Sequence, residues 1–174
     1  EHSAAFLGAV EAALGDKMEP VSLNSFLKEP FGLIYVSSGG SEGLFLQQFS
    51  SYDKPCFLLT SGDSNSLAAS MEILAYLRQN GRKGEILHGD VEAIARRIRV
   101  LSCAARAKGR LTGLRLGVIG TPSDWLIASG LDRAACRQKL GVEVIDIPME
   151  ELLKANASAP AVENEWTMSL RALG

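Results

Sequence analysis

The sequence predicts an α/β fold built around a mostly parallel sheet. Short apolar runs alternate with segments of helical apolar spacing, and polar, glycine-rich turns follow the apolar runs. The 47% hydrophobic and 22% charged content is typical of a packed core. This order implies βαβ units, right-handed crossovers and helices on both faces of the sheet, a flavodoxin-like or Rossmann-like arrangement.

Short apolar or β-branched runs give the predicted strands. The weakest predicted strand is Val21–Leu23. Pro55 directly precedes the strand Cys56–Leu59. The stronger strands are Gly32–Val36, Cys56–Leu59, Glu85–Leu87, Leu114–Ile119 and Val142–Ile147.

Helical spacing fills the intervals between these strands. The longest predicted helix, Val91–Lys108, has Asp90 as its N-cap and Gly109 as its stop. Gly141 ends another helix in the same way. The remaining helices are Ala4–Leu14, Gly43–Phe49, Ser66–Asn80, Ser129–Leu140, Met149–Lys154 and one around Trp166.

The rhythm of strands and helices restarts near Arg110–Gly113. We therefore expect a flavodoxin-like domain over residues 1–110, and the start of a second βαβ unit plus a C-terminal helix over residues 111–174. The chain opens on a helix, as if a strand were missing in front, and stops early in the second unit. These features favour a natural polypeptide that is longer than this chain.

Charge and cysteine usage exclude several function classes. The net charge of −2 does not indicate a basic surface for nucleic acid. The basic residues near Arg97 are expected on the solvent-exposed face of an amphipathic helix. Cys56 and Cys103 are expected as small buried hydrophobes in a reducing compartment. No apolar run reaches the ~20 residues of a membrane helix, and the N-terminus has no signal-peptide pattern. The sequence thus predicts a cytoplasmic protein with no membrane partner.

No catalytic set is readable in the chain. The two histidines have no metal-ligand spacing with the cysteines, and no serine nucleophile elbow accompanies His88. His88 is interpreted as a residue that leads into a helix. We predict no catalytic or metal-binding residue.

Ligands of open parallel sheets bind beyond the carboxyl ends of the strands, where this sequence has three polar turns. Turn 1, residues 37–43, has the sequence Ser-Ser-Gly-Gly-Ser-Glu-Gly, and is neither a Walker A loop nor GxGxxG. Its glycines allow close backbone approach, and the next helix start offers N–H groups to oxyanions or sugar hydroxyls. The candidate substrate contacts are Gly39, Gly40, Ser41 and Glu42. The alternative is a tight turn whose serines cap a helix.

Turn 2, residues 60–66, places seven polar or glycine residues after a buried strand. Asp63, Asn65 and Ser66 are its candidate contacts. Asn65 and Ser66 either cap the next helix or present the neutral hydrogen-bonding surface that polyols require.

Turn 3, residues 120–126, offers Ser123, Asp124 and Trp125. A tryptophan can stack on the apolar face of a sugar while its polar neighbours bind hydroxyls. In the alternative, Ser123 or Asp124 caps a helix and Trp125 fills the core.

Taken in order, these segments resemble the amino-terminal part of the L-fucose and L-arabinose isomerase-like family. The resemblance covers about Gly32 to Leu153, and its more specific parts are the Asn-Ser helix entry of turn 2 and the Pro-Ser-Asp-Trp-Leu of turn 3. It rests on Gly32–Gly43, Asp63–Glu72, Gly117–Ser129 and Leu140–Ile147.

The resemblance implies an aldose–ketose isomerase relative, usually a homo-oligomer, with flavodoxin-like domains and a later metal domain. The implied divalent ion is manganese, bound by acidic residues and histidine that have no counterpart in this sequence. Two hypotheses follow. The chain is either the non-metal portion of such a protein, contributing sugar contacts and oligomer surface, or a stand-alone module that binds a sugar, sugar phosphate or nucleotide without catalysis.

Overall fold

The computed structural model describes residues 2–160 and 162–173. The chain divides into two compact units between Gly109 and Arg110. Both units combine helices with parallel strands, which confirms the predicted α/β class.

Unit 1 contains a three-stranded parallel sheet with the order β1-β2-β3. Its register aligns Tyr35 with Leu59 and Leu59 with Leu87, so the three strands end side by side. The elements of unit 1 are α1 (His2–Leu14), α2 (Leu23–Phe26), β1 (Leu33–Tyr35), α3 (Glu42–Phe49), β2 (Cys56–Leu59), a 3-10 turn (Asp63–Asn65), α4 (Ser66–Gln79), β3 (Gly84–Leu87) and α5 (Val91–Leu111), which ends just beyond the unit boundary.

Side-chain alternation along β2 produces two cores. Leu58 lies on the face covered by α2, α3 and α4, where Phe45 and Ile73 are also buried. Leu59 lies on the opposite face with Val10 of α1 and Ile94 of α5. Helices therefore cover both faces of this sheet, as predicted.

Unit 2 contains a two-stranded parallel sheet. Gly141 ends its first helix with a left-handed φ of 72°, and the amide of Gly113 donates to the Gly141 carbonyl at 2.8 Å. The elements of unit 2 are β4 (Arg115–Ile119), α6 (Arg133–Leu140), β5 (Glu143–Ile147), α7 (Met149–Ser158) and α8 (Glu165–Ala172).

Four sequence predictions are wrong in detail, one of them the end of α7, which lies at Ser158 and not at Lys154. Val21–Leu23 is not a strand, because the Ser22 hydroxyl accepts the amide of Ser25 and starts α2. Gly109 does not stop α5, since a glycine inside a helix costs only ~1 kcal/mol relative to alanine. The α6 helix begins four residues later than predicted, at Arg133 after the N-cap Asp132.

The two cysteine predictions have different outcomes. Cys56 is buried as expected, whereas Cys103 is exposed. Cys103 lies in the second half of α5, and the buried residues of that helix are all in its first half. Helical spacing identifies an apolar stripe, but not how far along the helix the stripe is covered.

Replacing Leu58 with alanine should lower the free energy of unfolding of unit 1 by about 2–5 kcal/mol, because it leaves a cavity in a fully buried site. Urea unfolding followed by far-UV circular dichroism measures this loss. The control is Val100→Ala on α5, where the side chain is 57% exposed and the expected change is below ~0.5 kcal/mol. Equal losses in the two variants would contradict the described core.

Candidate functional site

The candidate site lies at the carboxyl edge of the unit 1 sheet, where β1, β2 and β3 all end. Turn 1 follows β1, turn 2 follows β2, and His88 follows β3. The amide of Val36 donates to Leu59 O at 2.9 Å, and that of Thr60 donates to Leu87 O at 3.1 Å. These bonds continue the sheet register into the turns and bring the three segments together.

Turns 1 and 2 are in direct contact. The amide of Gly39 donates to the carbonyl of Ser64 at 2.8 Å. A Cβ atom at Gly39 would lie 3.1 Å from Cβ of Asn65, so the glycine allows this approach. The two turns that carry predicted candidate contacts are thus adjacent at this edge.

The hydroxyl of Ser41 does not cap the helix that it precedes. Ser41 occupies the N-cap position of α3, but its Oγ donates to the carbonyl of Ser38 at 2.6 Å. Gly40 adopts a left-handed φ of 80°, and Glu42 is the first, half-buried residue of α3. Turn 1 is therefore closed by its own hydroxyl, and no side chain caps α3.

Turn 2 contains a run of left-handed backbone. Ser64 has φ 53° and Asn65 has φ 60°, two non-glycine residues in a region that costs ~1–3 kcal/mol each. Asn65 is at the N-cap position of α4, yet its side chain makes no capping bond. Asp63 and Asn65 are exposed, so their polar groups face solvent at this edge.

Ser66 is fully buried, unlike the other candidate contacts of turn 2. Thr60 Oγ1 donates to Ser66 Oγ at 2.7 Å and accepts the amide of Gly62 at 3.2 Å. The hydroxyl of Ser70 donates to the carbonyl of Ser66 at 2.8 Å. These bonds support turn 2 from the core side, so the structure gives Ser66 a supporting position beneath the surface.

His88 belongs to this edge, although the sequence reasoning placed it as a helix leader. Its Nδ1 lies 3.1 Å from the carbonyl oxygen of Thr60. A Cβ atom at Gly62 would lie 2.6 Å from Cε1 of His88, and Gly62 has a φ of 88°. Its position could have been inferred from the sequence, because His88 directly follows a predicted strand. The neighbouring strand leads into turn 2, which contains Gly62.

Turn 3 lies in unit 2, after β4. Trp125 is 79% exposed and does not fill a core. Ser123 and Asp124 do not cap α6, because Asp132 does so by accepting the amide of Ala135 at 2.9 Å. The capping and core-filling alternative is therefore excluded for this turn, while sugar contact stays a prediction.

A cavity of about 480 Å³ lies at the opposite, amino end of the unit 1 sheet. Arg82 lines it and donates to the carbonyls of Phe49 and Ser50 at the end of α3. Burial raises the pKa of the nearby Cys56 thiol, which keeps it protonated and unreactive. The cavity lining is Ser50, Ser51, Tyr52, Asp53, Pro55, Gly81, Arg82, Lys83 and Lys108, which includes none of the candidate contacts.

The manganese implied by the resemblance finds no matching donor set in the described ranges 2–160 and 162–173. No group of three or more His, Cys, Asp or Glu residues there is arranged to bind a metal ion. In the same part of the chain, no helix has the length and apolarity to cross a bilayer. The sequence matches no protein-family model and no curated protein.

The fold and this edge define a parallel α/β domain with a polar, partly preformed surface beyond its strands. Such surfaces are where open parallel sheets take up small ligands. The site can form hydrogen bonds through backbone amides, serine hydroxyls, the side-chain amide of Asn65 and the imidazole of His88.

Replacing Gly62 with alanine should destabilise unit 1 more than replacing Gly40. Both glycines have a left-handed φ, but a Cβ at Gly40 meets open space while one at Gly62 meets His88. We expect a loss of ~1–2 kcal/mol for Gly40→Ala from backbone strain, and at least ~1 kcal/mol more for Gly62→Ala from steric overlap. Urea unfolding measures both.

A double variant isolates the contact with the imidazole. In a His88→Ala background, Gly62→Ala should cost about as much as Gly40→Ala does in the same background. If Gly62→Ala costs no more than Gly40→Ala in the unmodified chain, the packing of His88 on turn 2 is wrong.

Proposed function

We propose that this chain is the amino-terminal, non-metal portion of a sugar aldose–ketose isomerase-like protein and that its carboxyl edge contributes contacts to the sugar. The observation that carries the proposal is the contact of Gly39 with Ser64, which joins two polar turns at the edge where parallel sheets bind ligands. The resemblance of the same turns to the L-fucose and L-arabinose isomerase-like family supplies the ligand class.

The chemistry of the two turns suits a neutral polyol. Exposed Ser37, Ser64 and Asn65 provide uncharged donors and acceptors, and Asp63 adds one carboxylate. Sugar hydroxyls both donate and accept, so a mixed and mainly neutral surface can satisfy them. The left-handed backbone of Ser64 and Asn65 fixes the polar groups of turn 2 before a ligand arrives, which reduces the entropy lost on binding.

Isomerisation itself is assigned to no residue of this chain. In the resembled family the metal polarises the sugar oxygens while carboxylates move the proton between C1 and C2. Our proposal restricts this chain to holding the sugar and to oligomer surface in a cytoplasmic homo-oligomer. The exposed side chains of Ile127 and Trp166 in unit 2 support the surface role.

The second candidate function is a stand-alone binding module for a sugar phosphate or nucleotide. One observation favours it: both α3 and α4 start at the carboxyl edge without a side-chain cap. The amide of Ser66, the first of α4, already donates to Asp63 O, but the amides that follow it and those of the first turn of α3 have no side-chain cap and can bind the oxygens of a phosphate, with help from the helix dipole. The two functions differ in whether charge on the ligand raises affinity.

Titration of the isotope-labelled chain with L-fucose and L-arabinose tests the main proposal. We expect one of these sugars to shift the amide resonances of Gly39, Ser61 and Ser64, and to leave those of Gly113 and Gly141 in unit 2 unchanged. Inorganic phosphate is the comparison ligand. Shifts at the same amides with phosphate but with neither sugar would favour the binding module.

Replacing Asn65 with glycine should weaken binding of the responding sugar about five- to tenfold, which corresponds to one lost hydrogen bond. Glycine tolerates the left-handed φ, so this variant removes the amide without adding strain. The matched control is Asn80→Ala at the other end of α4, whose side chain donates to Tyr76 O. Equal affinities for Asn65→Gly and the unmodified chain would remove Asn65 from the site.

The link to catalysis is tested on the protein from its natural source. An intact mass two to three times the 18.6 kDa of this chain, together with manganese-dependent aldose–ketose conversion, is the expected result. A mass near 18.6 kDa without aldose–ketose conversion would favour the stand-alone binding module.

A further inference from the structure

His88 directly follows β3 at the carboxyl edge. The amide of Thr60 donates to Leu87 O, so His88 begins level with the first residues of turn 2. Turn 2 is therefore bounded by His88 at its start and by Gly39 at its end, where Ser64 accepts the amide of Gly39. Turn 2 therefore has one neighbour from the end of β3 and one from turn 1.

The orientation of the imidazole follows from its contact with the main chain. The carbonyl oxygen of Thr60 can only accept, so Nδ1 of His88 must carry the proton of the 3.1 Å bond. In the neutral ring, Nε2 is then an acceptor. Cε1 packs on Gly62, which fixes the ring plane against turn 2.

The acceptor nitrogen has no protein partner within residues 2–160 and 162–173, and the side chain is exposed. Asp90, the nearest carboxylate along the chain, is engaged elsewhere, because its Oδ1 accepts the amide of Ala93 at 2.8 Å. The imidazole is thus held by one nitrogen, and the other lies beside turn 2, 3.4 Å from the position that a Cβ of Gly62 would occupy.

We propose that His88 determines specificity at this site by accepting, through Nε2, a hydrogen bond from a hydroxyl of a bound polyol. This inference rests on the proposed sugar-binding function and adds to it a residue that selects for a hydroxyl at one position of the ligand. A site built around a fixed acceptor rejects analogues that lack the donor, because the acceptor would be left unpaired.

Two isosteric substitutions separate this role from a structural one. His88→Asn places an amide nitrogen where Nδ1 stands, so it keeps the donor to Thr60 and loses the acceptor. His88→Gln reaches further and offers an oxygen acceptor near the position of Nε2. We expect L-fucose or L-arabinose, whichever shifts the amides of turn 2, to bind His88→Asn about tenfold more weakly and His88→Gln less than threefold more weakly.

Chemical modification gives an independent readout in the unmodified chain. Diethyl pyrocarbonate reacts with unprotonated imidazole nitrogens, and the chain has two histidines. His2 is exposed and distant in sequence from the edge, so it serves as the internal control. Saturating sugar should slow modification of His88 at least fivefold and leave that of His2 unchanged, as measured by mass spectrometry of digested protein.

The outcomes distinguish this inference from the proposed function. If the sugar shifts Gly39 and Ser64 but neither protects His88 nor distinguishes His88→Asn from the unmodified chain, the function stands and the role of His88 is overturned. If neither sugar shifts any amide or protects His88, both the proposed function and the role of His88 are contradicted. If His88→Asn lowers the urea midpoint as well as the affinity, protection of His88 in the unmodified chain decides: protection supports the role, and its absence overturns it.

Discussion

The central position of β2 is the constraint on which unit 1 depends. Phe57, Leu58 and Leu59 pair with β1 on one side, all four residues pair with β3 on the other, and the side chains alternate between the two cores. Leu58 and Leu59 are both buried within 1% exposure, so a one-residue shift in register would exchange the two faces. The same register determines that Thr60 leaves the sheet beside Leu87, which sets where turn 2 begins. Core packing and site geometry are thus consequences of one strand.

The strain in turn 2 is balanced by hydrogen bonds that reach into the core. Ser64 and Asn65 occupy left-handed backbone that would be unfavourable in an isolated loop. Thr60 bonds to Ser66 beneath the turn, and Gly39 bonds to Ser64 from the side. Strained residues persist where their surroundings specify the conformation, and they are concentrated at ligand sites. This arrangement gives the turn a fixed shape without a bound ligand, which favours a binding role over that of a simple connection.

Much of the fold could be predicted because its signals are local. The strand Cys56–Leu59 was predicted with its observed bounds, since an apolar run between Pro55 and a polar turn leaves little ambiguity. That turns 1 and 2 would share an edge follows from parallel strands alone. The burial of Ser66 and the packing of His88 on Gly62 could not be predicted in this way. Which of several consecutive polar residues points inward depends on contacts with other segments, and a histidine after a strand gives no periodic signal.

Unit 2 differs from unit 1 in how little of its apolar surface is covered. In β4, Leu116 is 54% exposed and Ile119 is 46% exposed, whereas parallel strands ordinarily have both faces buried. Trp125 and Ile127 of the loop that follows are more exposed still. Leaving this much apolar surface in water is unfavourable at about 25 cal/mol per Å², so its burial would stabilise an assembly. The chain thus separates two kinds of surface: unit 1 carries a polar edge beyond its strands, and unit 2 carries exposed apolar side chains.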